Sequence, residues 1–201
     1  VQESRDLALV LRAGALPVPL TILEERSVGP GLGKDSIEAG KFASLIAIFV
    51  VMIFMLIYYG IYGLFANISL IMNMIFLISV LTIIQATLTL PGIAGIVLTI
   101  GMAVDANVLI FERIKEEIRN EKNQIIAFDS GYIKSRSAVL DANITTLIAA
   151  VILFFLGSGP IKGFAVTLGT GIFTTLFSVY FIARLLTSIY VIKNKNKENL
   201  I

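Results

Sequence analysis

The stretch FASLIAIFVVMIFMLIYYGIYGLF, residues 42–65, contains no charged side chain. It is longer than the ~20 residues an α-helix needs to cross a hydrocarbon core. Because a helix satisfies all its backbone hydrogen bonds internally, it is the structure such a stretch adopts in lipid. This reading decides the fold class, an all-α integral membrane protein. The composition agrees: of 201 residues 57% are hydrophobic and 15% charged, which is too apolar for a domain with a polar surface to cover. Sixteen basic and fourteen acidic residues leave a net charge of +2, with no basic excess to suggest nucleic acid. There is no cysteine and no histidine. Disulfides, thiolate or imidazole catalysis and most transition-metal sites are thereby excluded, and no metal site is expected. Proton chemistry in this chain has to run on carboxylates.

Four more spans follow outward from the first, about residues 67–90, 91–111, 138–156 and 164–192. TLPG and GSGPIKG serve as tight turns, with Pro91 suited to a helix's first turn. Residues 112–137, opening with ERIKEEIRNEKN, form a polar connection with an initial helical stretch, and 193–201 a charged tail. The bundle therefore occupies 38–192. Residues 1–37 are of another kind: LALVL and PLTIL are strand-like, and Pro17, Pro19, Gly29, Pro30, Gly31 and Gly33 punctuate them. They read as the tail of an incomplete α+β domain outside the membrane, too poor in apolar residues to bury a core alone. The opening VQESRDLALVLRAG lacks the pattern of a secretory signal.

Basic residues near span ends set the orientation. Arg113, Lys115, Arg119, Lys122, Lys134 and Arg136 in the long connection, and Lys193, Lys195 and Lys197 in the tail, belong in the cytoplasm. Five spans then put the amino-terminal segment outside, where its own bases alternate with acids and belong to a translocated domain.

Asp105 lies inside the third span, roughly 21 Å from Pro91 and 12 Å from Arg113 at ~1.5 Å per residue. An ionised carboxylate at such depth is costly by at least ~2.5–3.5 kcal/mol, so such residues generally face the bundle interior and carry function. Either Asp105 exchanges a proton there, or it hydrogen-bonds a neighbouring helix as a neutral acid. Gly101 and Glu112 share its helical face; Glu112 is equally the first residue of a solvated charged helix. VDAN at 104–107 is echoed by LDAN at 140–143. Asp141 pairs with Thr145 at i, i+4, and Asn143 with Thr146 at i, i+3, offering interhelical hydrogen bonds; the alternative for Asp141 is a helix N-cap. Arg184, the base well inside a span, either pairs with Asp105 or snorkels to the cytoplasmic surface. Gly92, Gly95, Gly169 and Gly171 allow close helix packing.

GMAVDANVLIFERIKEE, residues 101–117, resembles the fourth-span signature of SecD, in the SecD/SecF family of protein-export membrane proteins. LRAGALPVPLTILEERSVGPGLGKDSIEAGK (11–41) resembles the junction between that family's periplasmic domain and its second span. LDANITTLIAAVILFFLGSGPIKGFAVTLGTGI (140–172) resembles its fifth span and the turn into the sixth. The resemblance implies five helices of a six-helix half of the resistance-nodulation-division type. It implies an inner-membrane subunit, not an enzyme, that spends the proton motive force on completing preprotein translocation, with protons as coupling ion and no cofactor. SecF, the SecYEG channel with SecA, and the translocating preprotein are the implied partners. By this resemblance Asp105 corresponds to the proton-binding acid, and Asp141, Asn143, Thr145 and Thr146 to the polar motif beside it. A full family member has a first span and a large periplasmic domain before this point, so the chain is expected to be a truncated or split product. Half of a proton-driven lipid or small-molecule exporter of the same superfamily is the alternative, and a membrane module without transport a third.

Overall fold

In a computed structural model, which describes residues 30–120 and 123–193, the chain is a bundle of long helices with no strand among the described residues. They are α1 (Pro30–Tyr59), α2 (Ile61–Ile83), α3 (Leu90–Asn120), α4 (Gln124–Leu156), α5 (Gly159–Phe177), a π-helical turn (Ser178–Ala183) and α6 (Arg184–Lys193). α5, the π turn and α6 run on as one span, giving five that are long and apolar enough to cross a membrane. The expected all-α membrane architecture is therefore present. The expected α+β domain tail and the charged carboxy-terminal tail lie almost wholly outside the described residues. Large apolar side chains such as Ile57, Phe49 and Phe155 point outward from the bundle, as they must where the surrounding solvent is lipid.

The helix boundaries depart from the apolar runs in five places: α1 begins at Pro30, not at 42, within the stretch read as a domain tail, α5 begins at Gly159, within the expected GSGPIKG turn and not at 164, and three more departures lie between. The first break falls at Gly60 instead of residue 66, because Gly60 takes φ +54°, a left-handed conformation that glycine adopts without steric penalty. α2 ends at Ile83, not at 90: Gln85 adopts φ +52° and Ala86 N–H donates to Leu81 C=O at 3.0 Å, closing the helix end. The expected polar connection at 112–137 is almost entirely helix. α3 continues to Asn120, and α4 starts at Gln124, where Asn123 Oδ1 accepts from Ile125 N–H at 3.0 Å. The two extensions pack as an antiparallel pair, with Gly131 facing Ile114. A chain this charged reads as a loop on hydropathy alone, yet its apolar positions recur at helical spacing.

α3 is the organising helix. At the charged end of the bundle its Ile110, Phe111 and Ile114 join Tyr62 of α2, Tyr132 and Val139 of α4, and Val179 of the π turn in one buried cluster. At the other end it meets α5 through small residues: a Cβ on Gly95 would stand 3.3 Å from Thr167 Cβ, and one on Gly171 would overlap Thr99. Of the four glycines expected to permit close packing, Gly169 alone has open space around it.

Gly171→Ala should lower the stability of the detergent-solubilised protein by about 1–3 kcal/mol, since the added carbon has to displace Thr99 from a filled contact. Gly169→Ala, with nothing within 4 Å of the new carbon, should be neutral; thermal unfolding followed by circular dichroism checks the pair.

Candidate functional site

Asp105 of α3 and Asn143 and Thr146 of α4 share one side of the bundle. Asp105 projects from the middle of α3 onto the open α3–α4 face, where it is exposed and has no hydrogen bond or ion pair among the described residues. The five helices therefore do not bury it, contrary to the expectation that it faces the bundle interior; the faces of α3 that these helices cover carry Ala103, Ala106 and Asn107. Gly101, one turn away, is likewise open, with nothing within 4 Å of the position its Cβ would take. Beside Asp105 a cleft of about 170 Å³ runs between the helices, lined by Ala106 and Leu109 from α3 and by Val139, Asn143 and Thr146 from α4.

The echo of VDAN in LDAN is a repeated local structure. In each copy the aspartate is exposed and the asparagine two residues later is buried. Asn107 Nδ2 donates to Ala103 C=O at 2.9 Å, and Asn143 Nδ2 donates to Val139 C=O at 2.7 Å. In both, the amide N–H groups are turned back on their own helix and the carbonyl oxygen is left buried without a partner. Asn143 is among the residues that line the Asp105 cleft. Asn107 went unnoticed in the sequence, although its place in the repeated tetrad was the available signal.

The expected interhelical hydrogen bonds from the fifth-span motif are not made. Thr145 Oγ1 donates to Asp141 C=O and Thr146 Oγ1 to Ala142 C=O, the i−4 bonding by which a hydroxyl in an apolar helix satisfies itself. Asp141 sits in mid-α4, so it is not an N-cap; it is exposed, as is Thr145, and neither lines the cleft. Asn143 and Thr146 are thus the members of the motif that the fold gathers around Asp105.

Arg184 is engaged elsewhere, and the pairing with Asp105 is replaced by another. Its Nη2 donates to Asp129 Oδ1 at 2.7 Å, across from α6 to the first turns of α4, and its guanidinium lies 5.4 Å from the Tyr132 ring centre. Asp129 lay in the stretch read as a connection, and its partner is 55 residues away, a separation that no local pattern reveals. Glu112 is also spoken for. It accepts from Tyr59 Oη at 2.9 Å and from Lys115 Nζ at 3.2 Å, and Lys115 in turn lies over the Tyr59 ring. This ties the end of α1 to α3. Farther along, Glu117, with a side chain only 5% exposed, is held by Arg113 Nη2 at 3.1 Å and Lys134 Nζ at 2.7 Å. The acids near the charged end are structural fasteners, and Asp105 stands apart from them.

With this geometry in hand, comparison with known proteins is specific. The family described as protein export membrane protein SecD/SecF, C-terminal, matches residues 15–193. Protein translocase subunit SecD of Magnetococcus marinus is 54% identical over 199 residues, 99% of this chain. The subunit of the same name from Rickettsia prowazekii is 52% identical over 98% of the chain. The chain spans about 38% of the length of each of these relatives. The crystal structure of SecDF, a translocon-associated membrane protein from Thermus thermophilus, superposes with a TM-score of 0.85 at 42% identity, covering 98% of this chain and 28% of that one.

Removing Lys134 leaves Glu117 almost buried with Arg113 as its remaining partner. Lys134→Met should therefore destabilise the protein by about 1–3 kcal/mol, and the additional change Glu117→Met should recover most of that loss. Denaturation of the purified protein by mixed detergent micelles measures both.

Proposed function

Since the chain belongs to the SecD/SecF family of protein-export membrane proteins, we propose that it serves as the proton-responsive membrane part of a subunit that drives late steps of preprotein export. The single observation that carries this reading is Asp105: a carboxyl group in mid-span, on an open helix face, with no partner among the described residues. An acid exposed at that depth does not remain against lipid, where its charge is expensive. A second membrane subunit has to cover the α3–α4 face, and SecF is the partner we assign to it.

Once covered, the cleft becomes a small polar chamber inside the membrane. Asp105 is the group able to gain and lose a proton. Asn143 and Thr146 line the same space, and each carries a side-chain oxygen able to accept a hydrogen bond from the protonated acid or from a water bound beside it. In the ionised state those acceptors have no proton to receive, so the two states of Asp105 favour different spacings of α3 and α4. This difference is what can convert proton passage into motion of the bundle; no covalent bond is made or broken, and no cofactor is required. Asp141 and Thr145, exposed on the outer side of α4, belong to the covering interface in this reading.

The charged end, with the Arg113, Lys115, Arg119 and Lys134 cluster, faces the cytoplasm by the positive-inside rule, which sets the beginning of α1 on the outer side. The SecYEG channel with SecA supplies the emerging preprotein there, and the outward segments of the complete subunit would act on it. The exporter alternative has no feature of this chain in its favour over the family to which the chain belongs.

The test uses the complete subunit assembled with SecF in inverted membrane vesicles. Asp105→Asn should remove the dependence of preprotein completion on a proton gradient at unchanged subunit level, while Asp105→Glu should retain part of it. Completion in Asp105→Asn that responds to the gradient as the parent does would sink the proposal.

A further inference from the structure

The last span is interrupted by six residues of π-helix, Ser178–Ala183, immediately before Arg184. A π turn closes its hydrogen bonds one residue farther along than an α turn, so it holds one residue more, and such turns inside α-helices mark functional positions. Upstream of it the span is clamped to α2. Ser69 Oγ donates to Ser178 C=O at 3.1 Å, Ser178 Oγ donates to Ser69 C=O at 2.6 Å, and Asn73 Nδ2 donates to Thr175 Oγ1 at 3.1 Å, all in the buried interior. Downstream the polar ties are lighter: the Arg184–Asp129 pair is half exposed on both sides, where ion pairs contribute little, and the segment is held chiefly by the packing of Thr187 and Val191, the 3.3 Å contact of Thr187 Oγ1 with Tyr132 Oη, and Tyr190 against the rings of Tyr62 and Phe65. Two polar atoms at the turn lie buried without partners, Asn73 Oδ1 at its entry and Tyr180 Oη within it. A buried unsatisfied group in a native structure calls for an explanation, and here two of them flank the one irregular turn.

We propose that Ser178–Ala183 is a register switch, in which the π turn closes to α geometry and rotates the charged end of the last span while the Ser69–Ser178 clamp holds the rest still. An α-helix turns about 100° per residue. Closing the turn therefore advances everything beyond it by about one residue, and the position facing Asp129 passes from Arg184 to Ala183. Arg184 leaves its partner. Val179 of the turn belongs to the same buried cluster as Ala106 and Val139, whose other sides line the Asp105 cleft, so the switch lies against the wall of that cleft. It is a property of the fold and does not rest on the proton reading of Asp105.

This chain holds no cysteine, so with any cysteine in the rest of the complete subunit replaced by serine, disulfide trapping in membrane vesicles is a direct test, since oxidation accumulates even a minor register. Asp129→Cys is combined in turn with Arg184→Cys, Ala183→Cys and Leu185→Cys. Arg184 reports the observed register. Ala183, fully buried in that register, reports the rotated one, and the exposed Leu185 on the opposite flank controls for simple wobble. The 129–184 and 129–183 pairs should both form, with 129–183 at least several-fold faster than 129–185. Deletion of Phe181 removes the extra residue and fixes the observed register, so it should keep the 129–184 link and abolish 129–183. Equal rates for 183 and 185, or a 129–183 link that survives the deletion, overturns the switch. Should Ala183→Cys fail to fold, the 129–184 pair alone decides: its yield at partial oxidation should rise in the deletion background, and an unchanged yield overturns the proposal.

Discussion

In hydrocarbon a polar group finds its partner inside the protein or pays the full cost of lacking one, and this constraint shapes each helix of the chain. The backbone meets it by being helical. The hydroxyl groups of Thr99, Thr145, Thr146, Thr167 and Thr187 meet it by bonding the carbonyl one turn back. Asn107 and Asn143 meet half of it in the same way, with their amide hydrogens satisfied and their carbonyl oxygens not. Between Ser69 and Ser178 the hydroxyls reach across, in a reciprocal pair. Asp105 is the acid at the α3–α4 cleft that the rule leaves exposed in mid-span and without a partner among the described residues. Its function, in the reading proposed above, begins from that exception.

The number of spans and their helical character were legible because they depend on runs of apolar residues and on length along a helix. The places where helices stop were less so. Gly60 and Gln85 break helices through a positive φ, and neither residue interrupts the apolar run enough to announce it. Residues 112–137 were misread in the opposite sense. Their charges suggested a connection, whereas Ile114, Phe128 and Tyr132 bury one side of an extended helical pair and Glu117 is held by Arg113 on its own helix and by Lys134 across the pair. Charge content reports the solvent, not the conformation.

The site was legible to a similar depth. Helical periodicity correctly put Gly101 and Asp105 on one face, and the repeated tetrad drew attention to α4. What a single helix cannot show is which neighbour covers that face. The motif residues Asp141, Asn143, Thr145 and Thr146 lie on one segment, yet the fold divides them: Asn143 and Thr146 turn toward Asp105, and Asp141 and Thr145 turn away. The partners of Arg184 and Glu112 were illegible for a simpler reason, since Asp129 and Tyr59 are each more than fifty residues away in the chain.

The pairing of Arg184 with Asp129 has a consequence for Asp105. A guanidinium beside a membrane carboxylate stabilises the ionised form, and an acid held ionised by a permanent partner is a poor carrier of protons. Four bases near the charged end are paired there: Arg113 and Lys134 with Glu117, Lys115 with Glu112, Arg184 with Asp129. In the proposed mechanism that segregation matters as much as the acid itself. Glu112, Glu117 and Asp129 occupy the cations that would otherwise fix the charge on Asp105, and so leave its protonation to be set by the membrane cleft and by the subunit that covers it.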